Sequence, residues 1–187
     1  MLRLRPYKPC DADAVASWCK DERALRKWSS DRFGDFPLSG KDINEKYVGN
    51  NGDCEEADNF YPLTAFDETG VVGSLILRYT DEEKKTLRVG FVIVDDAKRG
   101  MGYGKEMMLL TEKYAFELFG AEKLTLGVFD SNPGAYHCYK AAGFREIEQE
   151  KPYEFEYSGE TWRVIELEMS RADYDKRGEA DEQGKGV

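Results

Sequence analysis

The sequence predicts a mixed α/β domain whose sheet begins antiparallel. Three observations carry this expectation. Apolar runs over Tyr61–Phe66, Val71–Tyr79 and Thr86–Val94 are separated only by the short polar turns Asp67–Gly70 and Asp81–Lys85, the pattern of a meander. A junction with three glycines then joins the last run to a long helical pattern from Tyr103. A second strand and helix, Leu124–Phe129 and Pro133 to Ala142, precede a terminal hairpin.

Each element has a local reason. Arg3–Pro6 reads as a short first strand, and Asp11 or Asp13 can cap a helix running to about Lys20. A second short helix covers Glu22–Trp28, followed by a loop over Ser29–Pro37 that contains Phe33 and Phe36. Ser39 with Asp42 three residues on resembles a capping box for a helix to about Val48. Gly49–Asn59 is a polar, acidic loop. The continuous apolarity of Thr86–Val94 suits a central strand covered on both faces. Tyr103, Met107, Leu110, Tyr114 and Leu118 recur at steps of three and four, a core-facing stripe that Gly120 ends. Pro133 fits a first helical turn and Gly143 the position beyond a helix end. Arg145–Tyr157 and Thr161–Met169 make the final hairpin around Ser158-Gly159-Glu160. The reading is one domain over residues 1–169 and a charged, disordered tail over 170–187.

The net charge of −10 disfavours nucleic acid and anionic membranes as partners and suits a cationic acceptor such as an amine, although a solvated acidic surface explains it equally well. No apolar run approaches the length of a membrane span. Cys10, Cys19, Cys54 and Cys138 lack paired or metal-like spacing with the one histidine, His137, which fits reduced thiols in a cytoplasmic protein and no metal site.

The junction at residues 94–105 is the most informative stretch. Gly100, Gly102 and Gly104 alternate between Lys98, Arg99 and Lys105, with Met101 and Tyr103 interleaved. Glycines let the backbone turn tightly, and a helix start offers unpaired N–H groups with a partial positive charge. The combination is an anion cradle suited to a pyrophosphate. It is not a P-loop, because Glu106 follows Lys105 where a magnesium-binding hydroxyl belongs. It is not a dinucleotide fingerprint either, since the third glycine falls one residue early.

Arg99-Gly100-Met101-Gly102-Tyr103-Gly104 resembles the acetyl-CoA signature of the GNAT superfamily of N-acetyltransferases, Arg/Gln-x-x-Gly-x-Gly/Ala. Asn132 to Phe144 resembles the later motif of that family, Asn-x-x-Ala-x-x-x-Tyr-x-x-x-Gly-Phe. Leu2 to Pro6 with Asp11 to Ala14 is also similar to the branch that acetylates ribosomal-protein N-termini. The resemblance implies a mostly antiparallel twisted sheet whose middle strands splay apart. It implies acetyl-CoA in the gap between Phe91–Val94 and Leu126–Asp130, with the free backbone of Val92, Ile93 and Val94 along its arm and one N–H at the thioester oxygen. Lys98 to Lys105 would hold the diphosphate, Asn132 would contact the arm, and Tyr139 would be the general acid.

Position alone allows plainer roles: Tyr139 as a buried helix tyrosine and Asn132 as an N-cap. His137 reads as a surface or packing residue. Trp18, Trp28, Phe33 and Phe36 surround the expected acceptor loop, where core packing serves as well as contact. The expected position of a catalytic glutamate, on the strand before the second motif, is Gly127. Asp130, Glu154, Glu156 and Asp31 are the replacements considered. Three functions compete: transfer of acetyl from acetyl-CoA to a small amine or a protein N-terminus, an inactive CoA-binding regulatory module, and nucleotide binding. A homodimer is compatible with all three.

Overall fold

The computed structural model describes residues 1–184. Its elements run β1 (Arg3–Pro6), α1 (Ala12–Ser17), α2 (Glu22–Ser29), α3 (Gly40–Asn44), β2 (Tyr61–Asp67), β3 (Gly70–Tyr79), β4 (Thr86–Val94), α4 (Tyr103–Lys113), β5 (Lys123–Phe129), α5 (Pro133–Ala141), β6 (Arg145–Glu146), β7 (Glu154–Tyr157), β8 (Glu160–Ser170) and α6 (Arg171–Gly184). The sheet has eight strands in the order β1-β2-β3-β4-β5-β8-β6, with β7 also on β8. Every pairing is antiparallel except β4 with β5.

That one parallel pairing positions the site. β4 and β5 pair only over Thr86–Arg88 against Lys123–Thr125. Beyond it β4 stays with β3 and β5 stays with β8, so the middle strands diverge as the sequence motifs imply. A bulge strengthens the divergence. Ser74 faces Ile93 and Ile76 faces Gly90, so Phe91 and Val92 together oppose Leu75, and Phe91 takes a positive φ of 47°.

The two faces carry separate cores. Leu75, Leu77, Leu87, Val89, Leu124, Leu126 and Leu167 pack with Met107, Met108 and Phe116 under α4. Ile76, Ile93, Val15, Leu25, Ile43 and Tyr47 make the other cluster, with Trp28 and Phe91 packed against it, beneath α1 to α3. Ser39 and Asp42 form the expected capping box. Ser158 and Gly159, both at positive φ, close the β7–β8 hairpin.

Several expectations need correction. Asp11 does not cap α1 with its side chain. It is buried, accepting from both Arg5 guanidinium nitrogens at 2.7 and 2.8 Å and from the Thr64 hydroxyl at 2.8 Å. Leu118 is 72% exposed, because the helix widens at Tyr114–Leu118 and turns it outward. The tail, expected to be disordered from Ser170, forms α6 over its described part. Tyr174 stacks on Phe116 at 4.9 Å, Arg171 reaches the Phe116 and Ala121 carbonyls, and Arg177 pairs with buried Glu112. Residues 185–187 of that expectation lie outside the described part. Among the described residues, no helix is long and apolar enough to cross a membrane, and no cluster of three metal-ligating side chains occurs.

Candidate active site

The diverging strands open a cleft of about 1030 Å³, at the upper end of ordinary ligand pockets and roomy enough for a large ligand with a second small one. Its mouth is the glycine turn. Gly100 and Gly102 sit at φ 76° and 86°, where a side chain would be strained, and Gly102 begins α4 with no side-chain cap. The first helical bond of α4 runs from the Glu106 N–H to the Gly102 carbonyl, so the N–H groups of Tyr103, Gly104 and Lys105 have no partner within the helix. This is a built anion cradle, and the residues fit a diphosphate. Gly104 has a different task. A Cβ there would lie 3.0 Å from the Cys138 sulfur, so the glycine lets α4 and α5 approach.

The predicted residues divide. Val92, Ile93, Val94, Lys98, Arg99, Gly100, Gly102, Gly104, Lys105, Asn132 and Tyr139 all line the cleft. Met101 and Tyr103 do not. Met101 is 67% exposed, and the Tyr103 hydroxyl donates to Asp67 at 2.7 Å. Lys98 borders the cleft but is also drawn to Asp67 and Thr69, and Arg99 pairs with Asp96 at 3.0 Å. Along β4 the register separates two neighbours. The Asp95 N–H donates to the Val72 carbonyl, so alternation commits Ile93 to Ser74 and turns the main chain of Val94 toward the gap. Val94, not Ile93, therefore has a free edge.

Asn132 accepts from the Ala135 N–H at 3.4 Å, so it caps α5 and borders the cleft at once. Tyr139 is 7% exposed, with its ring edge-on to Phe144 at 6.5 Å. Burial pushes its phenol well above the ordinary value, with neighbouring Cys138 adding to the effect, so it stays a proton donor. His137 lies exposed at the rim, against Tyr136. Trp18 and Trp28 line the cleft, whereas Phe33 is buried behind it, stacked on Trp28 at 5.2 Å, and Phe36 lies outside.

None of the four carboxylates considered as the base borders the cleft. Asp130 accepts from the Arg163 N–H, Glu154 pairs with Arg163, Glu156 accepts from Thr161, and Asp31 lies exposed near Arg32. Two other carboxylates border it: Asp21, which caps α2, and Glu166, directly across from Gly127 in the β5–β8 register. A Cβ on Gly127 would lie 3.1 Å from its Oε1 and 2.8 Å from Arg88. Arg88 grips Glu166 with two bonds of 2.7 Å. β8 thus places a carboxylate beside the position where β5 carries none. Alternation along Val164–Met169 could have put Glu166 on the face opposite Leu167 and Met169, but nothing in the sequence sets its register against Gly127.

Residues 21–144 match the Acetyltransferase (GNAT) family, and the chain belongs to that family. It is an acyltransferase that uses acetyl-CoA. Among its relatives, the spermine/spermidine N(1)-acetyltransferase of Bacillus subtilis (strain 168) is 28% identical over 121 residues, 62% of this chain and 76% of the relative. The fold matches that of a spermidine N-acetyltransferase from Vibrio cholerae, solved in complex with CoA and spermine, with a TM-score of 0.75 at 20% identity, covering 92% of this chain and 97% of the other. A dodecameric form of the Vibrio cholerae enzyme matches at a TM-score of 0.70. These relatives are polyamine acetyltransferases, which corrects the expected likeness to the ribosomal-protein branch.

Proposed function

We propose that this chain transfers the acetyl group of acetyl-CoA to a primary amine of a small molecule by direct attack within the splayed gap. The observation that carries this reading is the parting of β4 and β5 after Arg88, which sets the glycine turn, the Val94 main chain and the Tyr139 phenol around one cleft. When bound, acetyl-CoA supplies an activated thioester. The N–H groups at the start of α4 and the Lys105 ammonium hold its diphosphate, and Val94 pairs with its arm as an added strand would. Glu166, held in place by Arg88, takes the proton of the attacking amine, directly or through water. Tyr139 gives a proton to the departing sulfur.

Glu166 removes the motive for the inactive regulatory reading, which rested on the missing side chain at Gly127. The relatives' names make spermidine and spermine the first acceptors to test, with a protein N-terminus as the contrasting class. A cytoplasmic setting goes with the four free cysteines, and a homodimer would show in sedimentation of the purified chain. The test is release of free thiol from acetyl-CoA across an amine panel. Release that requires both substrates supports the reading, and acetyl-CoA binding without release for any amine refutes it.

A further inference from the structure

We infer that the acceptor carries an anionic group beside its amine, and that Arg78 in the acceptor half of the cleft is the residue that reads it. This rests on acetyl transfer being the reaction. Arg78 of β3 lies directly across from Arg88 of β4. Alternation puts both on the sheet face beneath α1 to α3, because Leu77, Leu87 and Val89 occupy the opposite face. Gly127 and Glu166 share that face, since Leu126, Val128 and Leu167 point the other way.

Two arginines side by side on one face repel each other. Glu166 answers only one of them, because its carboxylate is taken by Arg88 in a two-bond fork. Arg78 is half-buried, and among the described residues no hydrogen-bond acceptor or carboxylate meets it. Of the acidic loop that lines a second pocket with Arg78, Asp53 pairs with Lys46 and Glu56 with Lys84, and Glu55 makes no ion pair with Arg78. Burial above all lowers the Arg78 pKa; nearby Cys54 opposes this, and Arg88 and Arg32 add to it. A guanidinium withdrawn from water without a partner is costly, and its planar fork is shaped for a carboxylate or a phosphate.

The surrounding walls have the same sign. α2 adds Arg23 and Lys27 to the lining, and the following loop adds Arg32, against Asp21 and Glu166 alone. Asp21 is spent capping α2. Lys27 donates to the Ser131 carbonyl, Arg23 pairs with Glu160 and Arg32 lies near Asp31, whereas Arg78 has no such partner. The Trp28 Nε1–H on the same wall is buried without an acceptor. The net charge of −10 therefore does not describe the cleft, which collects cations. A polyamine would bring further positive charge and nothing to meet Arg78, whereas an amine bearing a carboxylate or phosphate meets it and keeps its amine for the gap.

The test compares thiol release for matched amines: free amino acids against their amides, aminoethyl phosphate against ethanolamine, and spermidine and spermine. The expected result is a kcat/KM higher by about tenfold or more for the anionic member of a pair. The carboxylate and phosphate arms distinguish which anion is read. In Arg78→Gln that ratio should collapse toward one, with Arg78→Lys intermediate because a point charge replaces the fork. The unaltered enzyme gives a readout independent of any variant: succinate, which has no amine, should compete with the acceptor and not with acetyl-CoA. Preferred turnover of polyamines, absence of succinate competition, or an acid-to-amide ratio unmoved in Arg78→Gln would overturn the inference while acetyl transfer stands. Absence of release with every class would overturn acetyl transfer too.

Discussion

Tyr139→Phe removes one oxygen and should separate catalysis from packing. The ring is buried and edge-on to Phe144, contacts that Phe retains. No protein group bonds the phenol among the described residues, so its loss orphans no partner and stability should move by no more than about 0.5 kcal/mol. General acid catalysis contributes about 100-fold or more, equivalent to roughly 2.7 kcal/mol of barrier. kcat should fall by that factor, with the Kd for acetyl-CoA unchanged. The assay is thiol release at saturating acetyl-CoA, with calorimetry for binding and chemical denaturation for stability. Because burial raises the phenol pKa, the wild-type rate should climb with pH as the amine (reference pKa about 10) deprotonates, with no falling limb from Tyr139. An unchanged kcat in the variant would refute its role, and a large loss of stability would assign Tyr139 to packing.

Three further outcomes concern Asp11, Glu112 and Gly104. Asp11→Ala should cost about 3 kcal/mol in denaturant unfolding, since it leaves Arg5 and Thr64 unanswered. Burial pushes the Asp11 pKa up, but the bonds from Arg5, the Lys8 N–H and Thr64 outweigh it and leave it lowered, so its contribution is present above the ordinary carboxylate pKa and is lost as pH falls. Glu112 behaves in the opposite way. Burial pushes its pKa up to about 7 despite Arg177, so the folded chain binds the proton more tightly than the unfolded one, and stability should fall by up to about 3 kcal/mol as pH rises from about 4.5 to 7. Denaturation across that range should show this slope in the wild type and lose it in Glu112→Gln. Gly104→Val should push against Cys138 and part α4 from α5, weakening acetyl-CoA binding in calorimetry and lowering the melting temperature together.

The glycine turn, Asn132 and Tyr139, which line one part of the cleft, were legible in the sequence, whereas Glu166 and Arg78, which line another, were not. The glycine turn, Asn132 and Tyr139 lie in two short motifs whose chemistry is local: a turn, a helix start and a cap. The β4 boundaries follow from a continuous apolar run, as β4 is covered on both faces. Glu166 and Arg78 carry no such signal, because their meaning comes from register. Glu166 matters only through facing Gly127 from 39 positions along the chain, and Arg78 only through facing an Arg88 already paired with Glu166. The tail was misread for a related reason. Its composition is charged, but Arg171, Tyr174 and Arg177, spaced by three, lie along one side of α6 and find Phe116 and Glu112.

In the proposed reaction, main-chain N–H groups at the start of α4 grip the diphosphate of acetyl-CoA. Calorimetric titration of the wild-type chain with acetyl-CoA, and in parallel with S-acetylpantetheine, which lacks the diphosphate, tests it most directly. Saturable one-to-one binding of acetyl-CoA, weakened by about tenfold or more in the truncated thioester, is the expected result. Equal affinity for both ligands, or no heat from acetyl-CoA, would contradict it.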